Sequence, residues 1–196
     1  MPELLDIRDE HGTLMGEAMV RPEVHRTEAW HGVALIWVYN SKGQLLMQLR
    51  AAHLNAFPEK WDVTVSGHLM SSEKPLQAAQ RELGEEIGVY VSPGELQAAG
   101  ELANPYPLTY GKIHREYDYI FLTKQDNLDI SKLTLQAAEV LELRWITPDE
   151  LEKDLADPVK RHHYSERDAR VYQLAIEAVR SQLKANPGNP AETSHA

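Results

Sequence analysis

A mixed α/β sandwich, one β-sheet flanked by helices, is the fold class this sequence predicts, on three observations. Segments such as GVALIWVY and IHREYDYIFLT carry the β-branched, aromatic or alternating character of strands. Others, among them PLQAAQRELGEEI and ERDARVYQLAIEAVRSQL, carry apolar residues at helical spacing. The two kinds are interspersed along 196 residues that are 42% hydrophobic, enough to bury the core of one domain.

Taken in order, LLDIR, the turn DEHG and TLMGEA read as two short strands. GVALIWVY, the turn NSKG and QLLMQLR read as a hairpin of core strands, and WDVTVSG as one further strand. Pro75 suits a first helical turn and Gly88 a left-handed exit, which predicts a helix over PLQAAQRELGEEI. In IHREYDYIFLT the residues Ile113, Arg115, Tyr117 and Tyr119 alternate with His114, Glu116, Asp118 and Ile120, and VLELRWIT supplies another strand. Thr147, Pro148 and Glu150 form a capping box that opens PDELEKDLA. Val171, Leu174, Ala175, Ala178 and Leu183 form the stripe of a last helix. The domain is expected to occupy residues 1–183, with 184–196, rich in Pro, Gly and small polar residues, as a disordered tail.

Composition narrows the function. The absence of cysteine excludes disulfides, thiolate metal sites and a cysteine nucleophile. A formal net charge of -10 argues against a nucleic acid polymer as partner, because such binding needs Lys and Arg along the backbone. The N-terminal MPELLDIRDE lacks the basic and apolar regions of a signal peptide, and no stretch is apolar enough to span a bilayer, so the expectation is a cytoplasmic protein without membrane partners. The expected partners are a small phosphorylated substrate and a second copy of the chain in a homodimer.

The most informative stretch is GHLMSSEKPLQAAQRELGEEIGV. On its helix Glu82, Glu85 and Glu86 fall at i, i+3 and i+4 on one face, while Leu76, Ala79, Leu83 and Ile87 share another. Like charges at that spacing destabilise a helix by about 0.2–0.5 kcal/mol per pair, which calls for a cation between them. Hard divalent ions take carboxylate oxygens, and Mg²⁺ favours one or two carboxylates together with water and substrate phosphate.

The spacing of Gly67, Glu73, Arg81, Glu82, Leu83, Glu85, Glu86, Gly88 and Val89 fits G-x5-E-x7-R-E-U-x-E-E-x-G-U, with U aliphatic, without a departure. Average residue usage makes that a chance event on the order of one in a billion windows. The chain here resembles the Nudix hydrolases, whose fold is a Nudix-type α/β/α sandwich with a mixed β-sheet flanked by helices. The resemblance implies Mg²⁺ or Mn²⁺ held by Glu82, Glu85 and Glu86 with the Gly67 carbonyl, and attack of water on a diphosphate. Glu85 and Glu86 are then catalytic, Glu85 as ligand or base and Glu116 as an additional base, while Glu73, Arg81 and Gly88 are structural parts of the motif.

The segment from Trp30 to Glu73 is also similar to type I isopentenyl-diphosphate isomerases, a branch of the same superfamily. That resemblance implies a second metal site at His25, His31, His68 and Glu116, with His114 in place of one of the isomerases' glutamates. It also exposes a departure. Ser66 stands where those enzymes have a cysteine, and a hydroxyl is a poor acid–base group in comparison with a thiol. The expected function is therefore metal-dependent hydrolysis of a nucleoside-diphosphate-type or other small organic diphosphate. Isopentenyl-diphosphate isomerisation and noncatalytic binding of a phosphorylated metabolite are the alternatives.

Overall fold

A computed structural model describes residues 2–108 and 111–185. The tail expected from residue 184 lies, from 186 onward, outside the described residues. The elements are β1 (Leu4–Arg8), β2 (Leu14–Val20), α1 (Arg21–Thr27), β3 (His31–Tyr39), β4 (Leu45–Arg50), β5 (Trp61–Asp62), β6 (Val65–His68), α2 (Pro75–Ile87), β7 (Gln97–Pro107), β8 (Ile113–Lys124), β9 (Val140–Ile146), α3 (Pro148–Ala156), α4 (Pro158–Arg161) and α5 (Ala169–Ala185).

Strand β3 is the spine. It runs parallel to β8 from His31/Glu116 to Tyr39/Lys124 and antiparallel to β6 from Val33/His68 to Ile36/Val65. β1 joins it at Ile7/His31 and β4 at Tyr39/Leu45; β7 extends the sheet beyond β8, and β9 pairs with β4. All nine residues of β3 are buried because both sheet faces are covered. Val33, Leu35, Trp37 and Tyr39 pack with Leu151 of α3 and with Val171, Tyr172, Ala175, Ile176 and Val179 of α5. Ala34, Ile36 and Val38, of opposite parity, pack with Ala78, Ala79, Leu83 and Ile87 of α2. This period-two division makes the α/β/α sandwich that the sequence predicts.

The structure differs from the sequence reading in several places, including the short helices α1 and α4, which that reading does not contain. WDVTVSG is two strands rather than one, because the chain passes from β4 to β3 at Val63–Thr64. The buried Thr64 hydroxyl fastens the crossing, accepting from the Val38 N–H at 2.9 Å and donating to the Leu46 carbonyl. The eleven-residue β7 has no counterpart in that reading. Its Pro105 and Pro107, and a register shift between Ala98 and Gly100, hide the alternation by which strands are recognised.

Candidate active site

Helix α2 is fixed as its sequence dictates, with Pro75 in the first turn and Gly88 in the left-handed region at φ 69°. Its apolar stripe seats it on the sheet and turns Glu82, Glu85 and Glu86 toward a cavity of about 780 Å³. Arg81 organises this face. Its guanidinium donates to Glu73 (2.9 Å), Glu82 (2.6 Å), Glu85 (3.1 Å) and the backbone carbonyl of His68 (2.9 Å). Glu73 also accepts from the Met70 N–H, which ties the loop before the helix to the same cation.

Strand β6 lies against these carboxylates. The Ser66 N–H donates to Glu86 Oε1 at 3.3 Å, and a Cβ added to Gly67 would stand 1.8 Å from Glu82 Cδ, so only glycine admits the carboxylate there. Glu86 is 3% exposed, and its Oε2 is buried without a hydrogen-bond partner among the described residues. Burial and the neighbouring Glu82 push the Glu86 carboxyl well above its ordinary range. Burial pushes Glu82 up to about 7 against the pull of Arg81. Buried acids that neutralise themselves in this way fit a site for a divalent cation, which would compete with the protons.

A second cluster assembles from four elements: His25 of α1, His31 of β3, His68 of β6 and His114 of β8. One ring nitrogen of each lies within 4.8 Å of the others. The Nε2 atoms of all four are buried and without a partner among the described residues. His31 Nδ1 sits 3.0 Å from the Ala29 carbonyl, which can only accept, so Nδ1 carries the proton and Nε2 the lone pair. His114 Nδ1 faces the Tyr106 hydroxyl at 2.7 Å; because that hydroxyl gives its own proton to Glu116 at 2.6 Å, it accepts from His114. Burial lowers His25 to about 3, His114 to about 4, and His68 well below its usual value. Four neutral imidazoles whose ring nitrogens converge in this way fit a borderline transition metal such as Zn²⁺ better than Mg²⁺.

Glu116 adjoins this cluster, but its oxygens are engaged. Tyr106 holds Oε1, and Arg167 donates to Oε2 at 3.0 Å. Although burial acts in the opposite direction, Arg167 brings its pKa down to about 2. Arg167 also grips Asp62 from Nε at 2.9 Å and from Nη2 at 3.1 Å, while Arg50 reaches the same aspartate at 3.6 Å and Ser66 Oγ at 3.3 Å. The sequence reading missed Arg167, which lies at the opening of what reads as a surface helix. Trp37 is core, Trp61 lies under the Arg144 guanidinium, and Arg115 pairs with Glu28, whereas Arg50 and Lys112 do line the cavity.

Comparison with known proteins agrees with this geometry. The model of the NUDIX domain matches residues 29–167. The chain belongs to the Nudix family. An uncharacterised Nudix hydrolase of Listeria monocytogenes is 33% identical over 75% of this chain and 81% of its own length. An isopentenyl-diphosphate Delta-isomerase of Streptomyces avermitilis is 31% identical over 79% of this chain and 77% of its own. Among solved structures, a Deinococcus radiodurans protein aligns with a TM-score of 0.64 at 20% identity, covering 91% of this chain and 98% of that one. The Nudix domain of Shewanella oneidensis NrtR, complexed with ADP-ribose, aligns at 0.55 with 15% identity, covering 84% and 99%. At these identities the structural matches speak for the Nudix fold, a curled mixed sheet between helices. No helix among the described residues is long and apolar enough to cross a membrane.

Proposed function

We propose that this Nudix protein is a metal-dependent hydrolase that cleaves the diphosphate linkage of a nucleoside-diphosphate-type or other small organic diphosphate. The observation that carries the reading is the buried, unpartnered Oε2 of Glu86 on a cavity wall shared with Glu82 and Glu85. Nudix hydrolases generally use divalent metals. Mg²⁺ or Mn²⁺ at Glu82, Glu85, Glu86 and the Gly67 carbonyl would supply charge neutralisation of the diphosphate and acidify a water.

The chain's own groups do the rest. Arg81 fixes the carboxylates, so that little reorganisation accompanies the reaction. Glu85, with its side chain 55% exposed at the cavity wall, is placed to accept the proton of an attacking water. Arg21, Arg50 and Lys112 line the same cavity and offer positive charge to the phosphates. Glu116, paired with Arg167 and held ionised, acts as a charge anchor beside the histidines rather than as a base. His25, His31, His68 and His114 would hold a second metal, whose role would be to fix β6 and with it Gly67.

The test is a diphosphate panel that includes ADP-ribose, which the Shewanella relative binds. Release of a monophosphate with Mg²⁺ or Mn²⁺, abolished by chelator, is expected; equal turnover in chelator would sink the reading. Saturable binding without turnover would make this a binding domain instead. The Streptomyces relative motivates a second reading as an isomerase. It requires acid–base groups on both sides of the double bond, and Ser66, hydrogen-bonded by Arg50, is poorly suited to one of those roles. Isopentenyl diphosphate in deuterated water should gain no deuterium by proton NMR.

A further inference from the structure

Strand β7 brings a phenol to the histidine cluster. In the register of β7 with β8, Tyr106 stands opposite His114, and Glu116 lies two residues further along β8 on the same face. The Tyr106 hydroxyl therefore reaches both, at 2.7 Å from His114 Nδ1 and 2.6 Å from Glu116 Oε1. Little freedom is left to it. Tyr106 is 2% exposed, its ring packs on Phe57 at 4.6 Å between centroids and edge-on to His114 at 5.2 Å, and the Arg167 guanidinium lies 5.9 Å from its centroid.

The direction of the two hydrogen bonds follows from the charge behind them. Glu116, with Oε2 held by Arg167 at 3.0 Å, is a carboxylate that only accepts, so the phenol gives its one proton to Oε1. Its oxygen then accepts from His114, which puts the imidazole proton on Nδ1 and frees Nε2, the nitrogen that is buried without a partner among the described residues. The Nδ1 of His31 is held by a backbone carbonyl, whereas that of His114 depends on a side chain. His114 also stands where the isomerases that the sequence resembles have a glutamate, so that likeness offers no counterpart for the bond. With both oxygens engaged, Glu116 is placed to act on a metal through Tyr106 and His114.

We propose that Tyr106 is a positioning residue of the histidine centre, holding His114 with Nε2 free for a metal, and that Glu116, expected from the sequence to be a ligand there, acts through Tyr106 instead. The inference rests on the second-metal reading of the histidines, and its test separates the two. Long-range proton–nitrogen correlation spectra of the imidazoles read which nitrogen carries the proton in metal-free protein. Zn²⁺ affinity is measured by competition with a chelating dye for wild type, Tyr106→Phe and Glu116→Gln, with circular dichroism to verify folding. Wild-type His114 should carry its proton on Nδ1, and its Nε2 resonance should shift when one equivalent of Zn²⁺ is added. Tyr106→Phe leaves Glu116 Oε1 at 3.3 Å from Nδ1, beyond ordinary N–H···O reach. Part of the His114 population should then carry its proton on Nε2, and Zn²⁺ should bind about tenfold more weakly, the lower end of what loss of a metal-supporting hydrogen bond costs. Glu116→Gln, which keeps an acceptor for the hydroxyl but is a poor ligand, should bind Zn²⁺ more tightly than Tyr106→Phe does; the reverse order would make Glu116 a direct ligand and overturn the assignment. Wild-type Zn²⁺ affinity in Tyr106→Phe would overturn the role of Tyr106 and leave the metal reading standing. No shift at any imidazole of wild type on adding Zn²⁺ would overturn the metal reading, and the inference with it. If Tyr106→Phe does not fold, a wild-type spectrum with the His114 proton on Nε2 would equally overturn it.

Discussion

The acidic face of α2 and the histidine cluster meet at β6, yet they are built from opposite chemistry. The first gathers hard oxygen donors within one helix and sets them with a single guanidinium, Arg81. The second gathers neutral imidazoles from α1, β3, β6 and β8, which only the tertiary fold brings within 4.8 Å. Burial pushes Glu82 and Glu86 up toward their neutral form and the histidines down toward theirs, so both give up charge in the absence of a cation. The comparison teaches that the two sites are suited to different ions. The acid face matches the needs of a phosphate-bound Mg²⁺ or Mn²⁺, and the imidazoles those of a retained transition metal.

The largest expected effect falls on the acid face. Glu86→Gln removes the acid-face carboxylate oxygen that is buried without a partner among the described residues, and should lower turnover by three to four orders of magnitude, about 4–5 kcal/mol of transition-state stabilisation. Thermal stability should hold or rise, since an uncompensated buried acid is lost. Undiminished turnover in the folded variant would refute the assignment of Glu86. No comparable loss is expected from a histidine variant if the second metal only fixes β6, and steady-state kinetics of both variants would draw that contrast.

Next comes the pairing that flanks the histidines. Arg167→Met leaves Asp62 and Glu116 buried with less positive charge, and breaking a buried pair from one side costs about 3–4 kcal/mol. Urea denaturation should show that loss, and Arg167→Met combined with Asp62→Asn should regain part of it. A single variant as stable as wild type would mean that Arg50 alone satisfies Asp62.

These two regions were legible in the sequence to very different degrees, for a physical reason. Glu82, Glu85 and Glu86 are neighbours along 3.6-residue turns, so periodicity alone places them together, and the same helical rule foretold Pro75 and Gly88. Nothing local links His25 to His114; only a family likeness suggested the cluster. In β8 the alternation was visible, but the residues turned inward include His114, Glu116 and Asp118, a polar set that pattern reading would assign to solvent. Their inward placement makes sense only once Arg167, 51 residues past Glu116, closes on them.

The smallest effect is also the one that separates the two clusters by sign. Glu82 has its folded pKa raised to about 7 from an ordinary 4.5, so the native state holds a proton that the unfolded chain releases. Its contribution to stability is full below about pH 4.5 and is lost as pH rises through about 7. His25 and His114, lowered to about 3 and about 4 from 6.5, behave in the opposite way. Their contribution is present above 6.5 and is lost as pH falls toward the folded values, because the unfolded chain takes up protons that the buried rings refuse. In metal-free protein the two trends oppose each other between about pH 4.5 and 6.5. Glu82→Gln removes the Glu82 part of the acidic trend and leaves that of Glu86 together with the histidine trend, so stability should rise across that window more steeply than in wild type, by about 2 kcal/mol, since a tenfold change in proton affinity corresponds to about 1.4 kcal/mol. Urea titrations in chelator across that window measure the slope directly. Parallel slopes in wild type and variant would show that Glu82 titrates normally, and that the acid face does not hold its protons against water. Adding Mg²⁺ should then flatten the acidic trend in wild type, because a cation that takes the proton's place makes the carboxylates' neutralisation independent of pH.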